Sequence, residues 1–412
     1  MFGPALTLPL LLHLLPQDIL FEILSKLPAK LLVRFRCVSK LFYALIADHG
    51  FGALHRSSSL TLPSRAGILI AIKPHSSGSS RAFYTINFSE QNPQWPGMLQ
   101  ANRLGYLDAE PFLKCCLHSS SDGLICLSRL NGDVVVCNVS TGQRISLPTI
   151  QFPSACALLG FDSQSKRYKI LMIDWRMSSF GYKHWVLTVG VDKSWREINY
   201  SSHPIVHPIA GYGCPSYSNT SVYIGGVIYS YNWLTKSDLP NFNIVAFEVG
   251  SESFSLIPFP AEVSSSSRHY SVYSSASFTK EFHVLRNVEL LQVDGGRLAI
   301  VVVRRIDRQF YMDVWTWLKS KECWEKTIMT IPLEEIRTIY AATYLRYTTN
   351  HVGEIVSLCI NSKQKRFSIL VCNLKSEVWR QFDVGGVERF PNLCPTDVRM
   401  YGTMDNVFSL EQ

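Results

Sequence analysis

Val136-Cys137-Asn138-Val139-Ser140-Thr141-Gly142, followed by Ile145-Ser146-Leu147-Pro148, is the stretch whose reading decides the fold of most of this chain. An apolar run, a short polar turn and a return segment that starts on a large residue make one hairpin. The plan recurs in Val245-Ala246-Phe247-Glu248-Val249 before Phe254-Ser255-Leu256-Ile257-Pro258. It recurs again in Val371-Cys372-Asn373-Leu374-Lys375-Ser376 before Val378-Trp379-Arg380-Gln381-Phe382. Two further copies carry an aromatic after the turn: Val189-Gly190-Val191-Asp192 before Trp195-Arg196, and Val314-Trp315-Thr316-Trp317 before Trp324-Glu325. A large residue at that place is able to cover the joint between neighbouring sheets.

Positions 137, 189, 247, 315 and 371 mark these copies, spaced 52 to 68 residues apart. A four-stranded propeller blade takes about 40 to 50 residues, so the spacing fits blades with enlarged loops. Between the markers lie runs such as Gly67–Ile72, Gly123–Leu127, Ala299–Val303 and Phe367–Val371, bounded by Gly, Ser, Pro and Asn. No long amphipathic helix intervenes, which excludes alternating β-α architecture; the one helical hint is Leu333-Glu334-Glu335-Ile336. The expectation for residues 65–412 is a mainly-β domain, an irregular β-propeller of about six blades. A curled pair of β-sandwiches is its rival. Met400-Tyr401-Gly402 through Leu410 is expected to pair with the strands near Ile68–Ile72 and close the ring.

Composition narrows the function classes. The 412 residues are 47% hydrophobic and 17% charged, with a net charge of +8 that is scattered rather than gathered in a basic run. This argues against nucleic acid as partner. The eleven cysteines contain no Cys-x-x-Cys pair, and Cys115-Cys116 are adjacent, which does not suit a zinc site. Cys126, Cys137, Cys359 and Cys372 fall in apolar runs and read as buried free thiols. Leu6–Leu15 is apolar, but no basic residue precedes it, Pro9 interrupts it, and Asp18 and Glu22 follow, so it does not read as a signal peptide. With no apolar run long enough to span a membrane, the expected location is cytoplasm and/or nucleus, with no membrane partner.

The first sixty residues differ in texture. Leu15-Pro16-Gln17-Asp18-Ile19-Leu20-Phe21-Glu22-Ile23-Leu24-Ser25-Lys26-Leu27-Pro28 places Leu15, Ile19, Ile23 and Leu27 four apart, with Leu20 and Leu24 widening the stripe. Pro16 and Pro28 suit helix starts, and Glu22 to Lys26 is the favourable ion-pair order. A second helix is predicted from Pro28 and a third from Ser39 to just before His49-Gly50. Three helices of this size make a marginal core that gains by packing on a partner.

Leu15-Pro16, Asp18, Glu22-Ile23-Leu24, Leu27-Pro28, Arg34, Arg36-Cys37-Val38-Ser39-Lys40, Leu45-Ile46 and Phe51 stand in the order of an F-box, which this segment resembles. Phe42 stands where that family usually has tryptophan, and Leu31 replaces a common serine. The layout as a whole resembles plant F-box proteins with a C-terminal F-box-associated or kelch-like region. Ser119–Leu127, Leu159-Gly160-Phe161-Asp162, Tyr168-Lys169-Ile170 and Trp379-Arg380 carry that second likeness. It implies an F-box over 10–55, a linker over 56–64 and the β domain over 65–412.

The F-box resemblance implies docking to a Skp1-like adaptor and, through it, to cullin and RING subunits. Leu15, Pro16, Ile19, Leu20, Ile23, Leu27, Pro28, Arg34, Val38, Lys40 and Phe42 are the expected Skp1-binding residues. Residues 26–40 hold five basic side chains and no acid, which suits an acidic partner surface. The β domain is expected to bind an unidentified target protein, with Trp175, Tyr182, Trp185, Tyr231 and Trp233 as candidate contacts. Alternatives are a Skp1-binding propeller protein outside any ligase and a carbohydrate-binding β domain. His203, His207 and Cys214 lack the helical spacing of a metal site, since each histidine precedes a proline. No nucleophile elbow, phosphate loop or metalloprotease motif occurs. No catalytic residue, metal or cofactor is expected.

Overall fold

In the computed structural model the described residues are 15–72, 81–89, 97–107, 116–128, 132–150, 155–174, 183–198, 221–234, 241–263, 289–306, 309–342, 344–361, 364, 366–388, 398–408 and 410. Among the described residues four helices come first: α1 Gln17–Ser25, α2 Ala29–Arg36, α3 Lys40–Ala47 and α4 His49–Thr61. Pro16 and Pro28 precede α1 and α2 as N-caps, and Ser39 caps α3 by accepting a hydrogen bond from the Phe42 amide (3.2 Å). The fourth helix is a departure from the sequence reading, for it occupies most of the 56–64 stretch taken as linker. Gly50, Gly52 and Ser57-Ser58-Ser59 give it poor intrinsic propensity. Tertiary contacts hold it instead: Asp48 caps the Phe51 amide (2.9 Å), Phe51 and His55 are fully buried, and His55 Nε2 donates to the Leu27 carbonyl (3.0 Å). Burial pushes the His55 imidazole below its ordinary value.

Twenty-five strands follow among the described residues. Blade 2 comprises β5 Cys116–Ser121, β6 Leu124–Ser128, β7 Val134–Asn138 and β8 Arg144–Ser146; blade 3 comprises β9 Ala155–Asp162, β10 Arg167–Asp174, β11 His184–Thr188 and β12 Arg196–Glu197. Blade 4 runs β13 Ser221–Ile224, β14 Val227–Leu234, β15 Asn241–Glu248 and β16 Ser253–Pro258. Blade 5 runs β17 Glu289–Val293, β18 Arg297–Ile306, β19 Gln309–Leu318 and β20 Cys323–Thr330, and the short helix α5, Leu333–Ala341, leads out of it. Blade 6 has β21 Tyr344–Thr349, β22 Ile355–Asn361, β23 Arg366–Cys372 and β24 Trp379–Gly385. Blade 1 draws on both ends of the domain: β1 Ala66–Ile72, β2 Ala82–Ile86 and β4 Asn102–Arg103 are joined by β25 Val398–Met404 as innermost strand.

The ring closes as expected, by antiparallel pairing of β25 with β1 that sets Ile70 opposite Met400. The innermost strands β25, β5, β9, β13, β17 and β21 each touch the next, and β21 returns to β25. A second latch had no signal in the sequence. β3, Met98–Gln100, leaves blade 1 and pairs in parallel with β24, placing Leu99 opposite Val384, and Leu99 is fully buried. Six apolar clusters fill the six joints between blades. The repeat markers all lie on, or directly after, the third strand of blades 2 to 6. The aromatic after the turn does cover a joint: Trp195 Nε1 donates to the Pro148 carbonyl (2.6 Å) and Trp324 Nε1 to that of Pro258 (2.7 Å). Cys126, Cys137, Cys359 and Cys372 are buried free thiols.

Polar bonds across the innermost strands staple the blades together. Ser119 Oγ donates to Ala157 O and accepts from the Leu159 amide; Arg346 Nε donates to Val398 O (3.0 Å). Glu289, fully buried on β17, accepts from the Tyr347 amide at Oε2 (2.6 Å), while its Oε1 has no partner among the described residues. Burial outweighs the attraction of Arg346 and Arg399 and pushes this carboxyl from its ordinary 4.5 up to about 7. A raised carboxyl makes the folded state hold its proton longer. Its full stabilisation is present below about pH 4.5 and is lost as pH rises to about 7, a change of about 3 kcal/mol. Glu289→Gln keeps the acceptor and removes the charge. We expect this variant to match wild type at pH 4 and to melt several degrees higher at pH 8, measured by thermal denaturation. An equal melting difference at both pH values would refute the assignment.

Candidate partner-binding site

Helix α1 is apolar on two sides, and the two sides have different fates. Leu20 and Leu24 (each 4% exposed) enter a core with Ala29, Leu32, Phe42, Leu45, Ile46, Phe51 and Val407. Leu15, Ile19 and Ile23 lie on another face at 37, 41 and 50% exposure. Within the helix the i, i+4 spacing aligns Ile19 and Ile23 along one side, roughly 100° from Leu20 and Leu24, while Leu15 stands just before the N-cap Pro16. A helix whose core side is already filled does not need a second apolar face for its own stability. Exposed apolar residues in series are the mark of an interaction site.

The structure thus divides the expected docking residues. Leu15, Pro16, Ile19, Ile23, Pro28, Arg34, Val38 and Lys40 are exposed, Val38 by 67%. Leu20 and Phe42 are internal, and Leu27 is half-buried against the same core. Phe42 packs with Phe35, ring centroids 5.6 Å apart. The residue standing where tryptophan is usual therefore supports the helices from within. Leu31 and Tyr43 are exposed apolar side chains that the sequence reading did not count as docking residues, and Arg36 stacks over the Tyr43 ring at 4.9 Å. The signal for Tyr43 was helical spacing, since Phe42, Leu45 and Ile46 all point inward and Tyr43 falls outside their arc. Lys26, Lys30, Arg34 and Lys40 are exposed around these groups. The Lys26–Glu22 ion pair (2.9 Å) is largely exposed to solvent and adds little.

Of the candidate target contacts, Trp185 is buried (5% exposed) in the joint between blades 2 and 3. Its place on β11 makes it a packing residue, because the face of β11 that carries it meets the neighbouring blade. Tyr231 and Trp233 belong to β14, but their side chains lie outside the described residues, as do Trp175 and Tyr182. His203, His207 and Cys214 lie outside them too. Among the described residues no three His, Cys, Asp or Glu side chains gather as metal ligands, and no helix is long and apolar enough to cross a membrane.

Comparison with known proteins agrees with this geometry. Residues 12–54 match the F-box domain and residues 70–407 the F-box associated beta propeller domain. The F-box protein At4g19940 of Arabidopsis thaliana is 26% identical, over 92% of this chain and 88% of its own length. The F-box protein At1g30790 of the same plant is 25% identical, over 90% of each chain. A solved Lactobacillus plantarum protein aligns with 81% of this chain and 99% of its own at 8% identity and a TM-score of 0.37. An F-box joined to such a propeller is the architecture of a non-catalytic adaptor. A helical module with one apolar face left in solvent, carried by a six-bladed propeller with matches over both parts, leads to one conclusion: the chain belongs to the F-box-associated β-propeller family of F-box proteins.

Proposed function

We propose that this chain is the substrate-recognition subunit of a Skp1–cullin–F-box ubiquitin ligase. The exposed face of α1 carries the reading: Leu15, Ile19 and Ile23 stay in solvent while Leu20 and Leu24 fill the helical core. An acidic adaptor surface suits the basic side chains around that face, which steer the encounter and set its register. The propeller captures a target protein. The chain's contribution is proximity, since holding the target beside the charged enzyme raises the effective concentration of its lysines. This reading locates the protein in the cytoplasm and/or nucleus.

Affinity purification of the tagged chain from plant cells tests the proposal. Skp1 and cullin are both expected in the eluate. Skp1 without cullin over repeated purifications would favour a Skp1-binding protein outside the ligase, and absence of both would overturn the adaptor reading.

A further inference from the structure

The residues directly after β25 serve two modules at once. Asp405 Oδ2 accepts a hydrogen bond from the Ala29 amide (2.6 Å), at the start of α2, where the N-cap residue Pro28 makes no side-chain cap. Val407 is 1% exposed and packs among Leu20, Leu24, Leu32, Phe42 and Phe51 in the F-box core. The intervening residues turn the other way. Asn406 Nδ2 donates to the Asp122 carbonyl (2.7 Å) and to Tyr168 Oη (3.0 Å), and its Oδ1 accepts from the Phe408 amide (2.7 Å). Phe408 lies in the joint between blades 2 and 3, edge-on to Tyr168 at 5.0 Å. Asp405 and Val407 complete the helices and Asn406 completes the propeller, while Phe408 fills the propeller joint and also rests against His49 of α4, ring centroids 5.2 Å apart.

The register of this segment is set by β25, because Met404 pairs with Ala66 and the Asp405 amide donates to the Arg65 carbonyl (2.8 Å). A second tie runs alongside. Arg56 of α4 bonds Asp122 Oδ2 (2.7 Å) and stacks over Phe161 at 4.3 Å. A helical module of about 45 residues has a marginal core of its own. Removing a helix cap and a buried aliphatic side chain from it is therefore a large fraction of its stability. The outer face of α1 is presented by the same helix whose inner face rests on that core.

Resting on the Skp1 reading above, we propose that ring closure and partner binding are coupled: the F-box takes its Skp1-binding form only when β25 has closed the propeller and delivered Asp405 and Val407 to it. An F-box on an unclosed propeller would then be a poor ligand for Skp1, which keeps incompletely folded copies out of the ligase.

The test uses the full chain, purified Skp1, calorimetric titration and amide hydrogen exchange. For Asp405→Ala with Val407→Ala, we expect at least a tenfold loss of Skp1 affinity and weaker protection of residues 17–36, with protection at Ile68–Ile72 retained. Met400→Pro breaks the β1–β25 pairing without touching the helices, and the same loss is expected there. Wild-type affinity in the double variant, or in Met400→Pro once exchange shows the ring open, overturns the proposal. If the double variant does not fold, the single Asp405→Ala decides: a threefold or greater loss supports coupling, and none overturns it. A wild-type chain that does not bind Skp1 refutes the adaptor reading instead. Coupling is then judged by exchange alone, where full protection of residues 17–36 in Met400→Pro overturns it.

Discussion

Replacing Ile19 and Ile23 together by aspartate is expected to lower Skp1 affinity at least a hundredfold while leaving the melting temperature within about two degrees of wild type. Both side chains are near half exposed in the free chain, so neither supports the fold. In a complex each would bury its remaining half of apolar surface, worth roughly 0.7–1.5 kcal/mol, and an aspartate placed there would be buried without a partner at a further cost of at least about 1 kcal/mol. Two central positions thus give about 3–6 kcal/mol, which at 1.4 kcal/mol per decade is at least two decades of affinity. Leu20→Ala serves as the contrast. It empties a site in the helical core and is expected to weaken binding through lost folding, so its melting transition falls as well. Titration calorimetry beside thermal melting separates the two. An Ile19/Ile23 variant that binds as wild type would remove the outer face of α1 from the interface.

Gly123→Ala is expected to be among the most damaging small substitutions in the propeller. This residue lies in the β5–β6 turn at φ +80°, and a Cβ there would stand 2.3 Å from the carbonyl oxygen of Met404, the last residue of β25. Neither backbone can yield cheaply. One carries the turn through Asp122, which holds Arg56 and Asn406, and the other is the closing strand of the ring. Backbone strain and the clash together come to about 4 kcal/mol, enough to lower the melting temperature by several degrees. Gly97→Ala is the matched control: its φ is +91°, yet nothing lies within 4 Å of a Cβ there. Strain alone operates at Gly97, so about 1–2 kcal/mol is expected. Equal losses at the two positions would show that close packing of the turn on β25 adds nothing.

Local regularity was the part of this molecule open to reading in advance. The hairpin copies at 137, 189, 247, 315 and 371 located the third strands of five blades because each copy is self-contained, with its turn chemistry and apolar alternation inside a dozen residues. Asn138 shows why such a turn leaves a mark: its Oδ1 accepts from the Ser140 and Thr141 amides (2.9 and 3.2 Å), so the residue type follows from the turn. Blade 1 carried no marker, as its strands come from both ends of the domain. β3 was silent for a similar reason. Three residues are too few for a period, and their partner β24 lies far along the chain. The burial of Trp185 is not legible in sequence, because an aromatic beside a loop has the same signature whether it faces solvent or the next blade.

By itself, then, the sequence determined what short-range periodicity can encode: a helical docking module in front of a ring of four-stranded sheets, closed by pairing Ile68–Ile72 with Met400 and its neighbours. Tertiary structure alone decided which apolar residues of α1 are spent on the core and which are left for a partner. It also decided that α4 forms despite its glycines and serines, that Asp405 and Val407 complete the F-box, and that Asn406 completes the propeller while Phe408 touches both. The physical reason is that an apolar side chain carries no record of what will cover it. Burial is a property of the surfaces that meet around a residue, and here those surfaces come from segments separated by more than 370 residues.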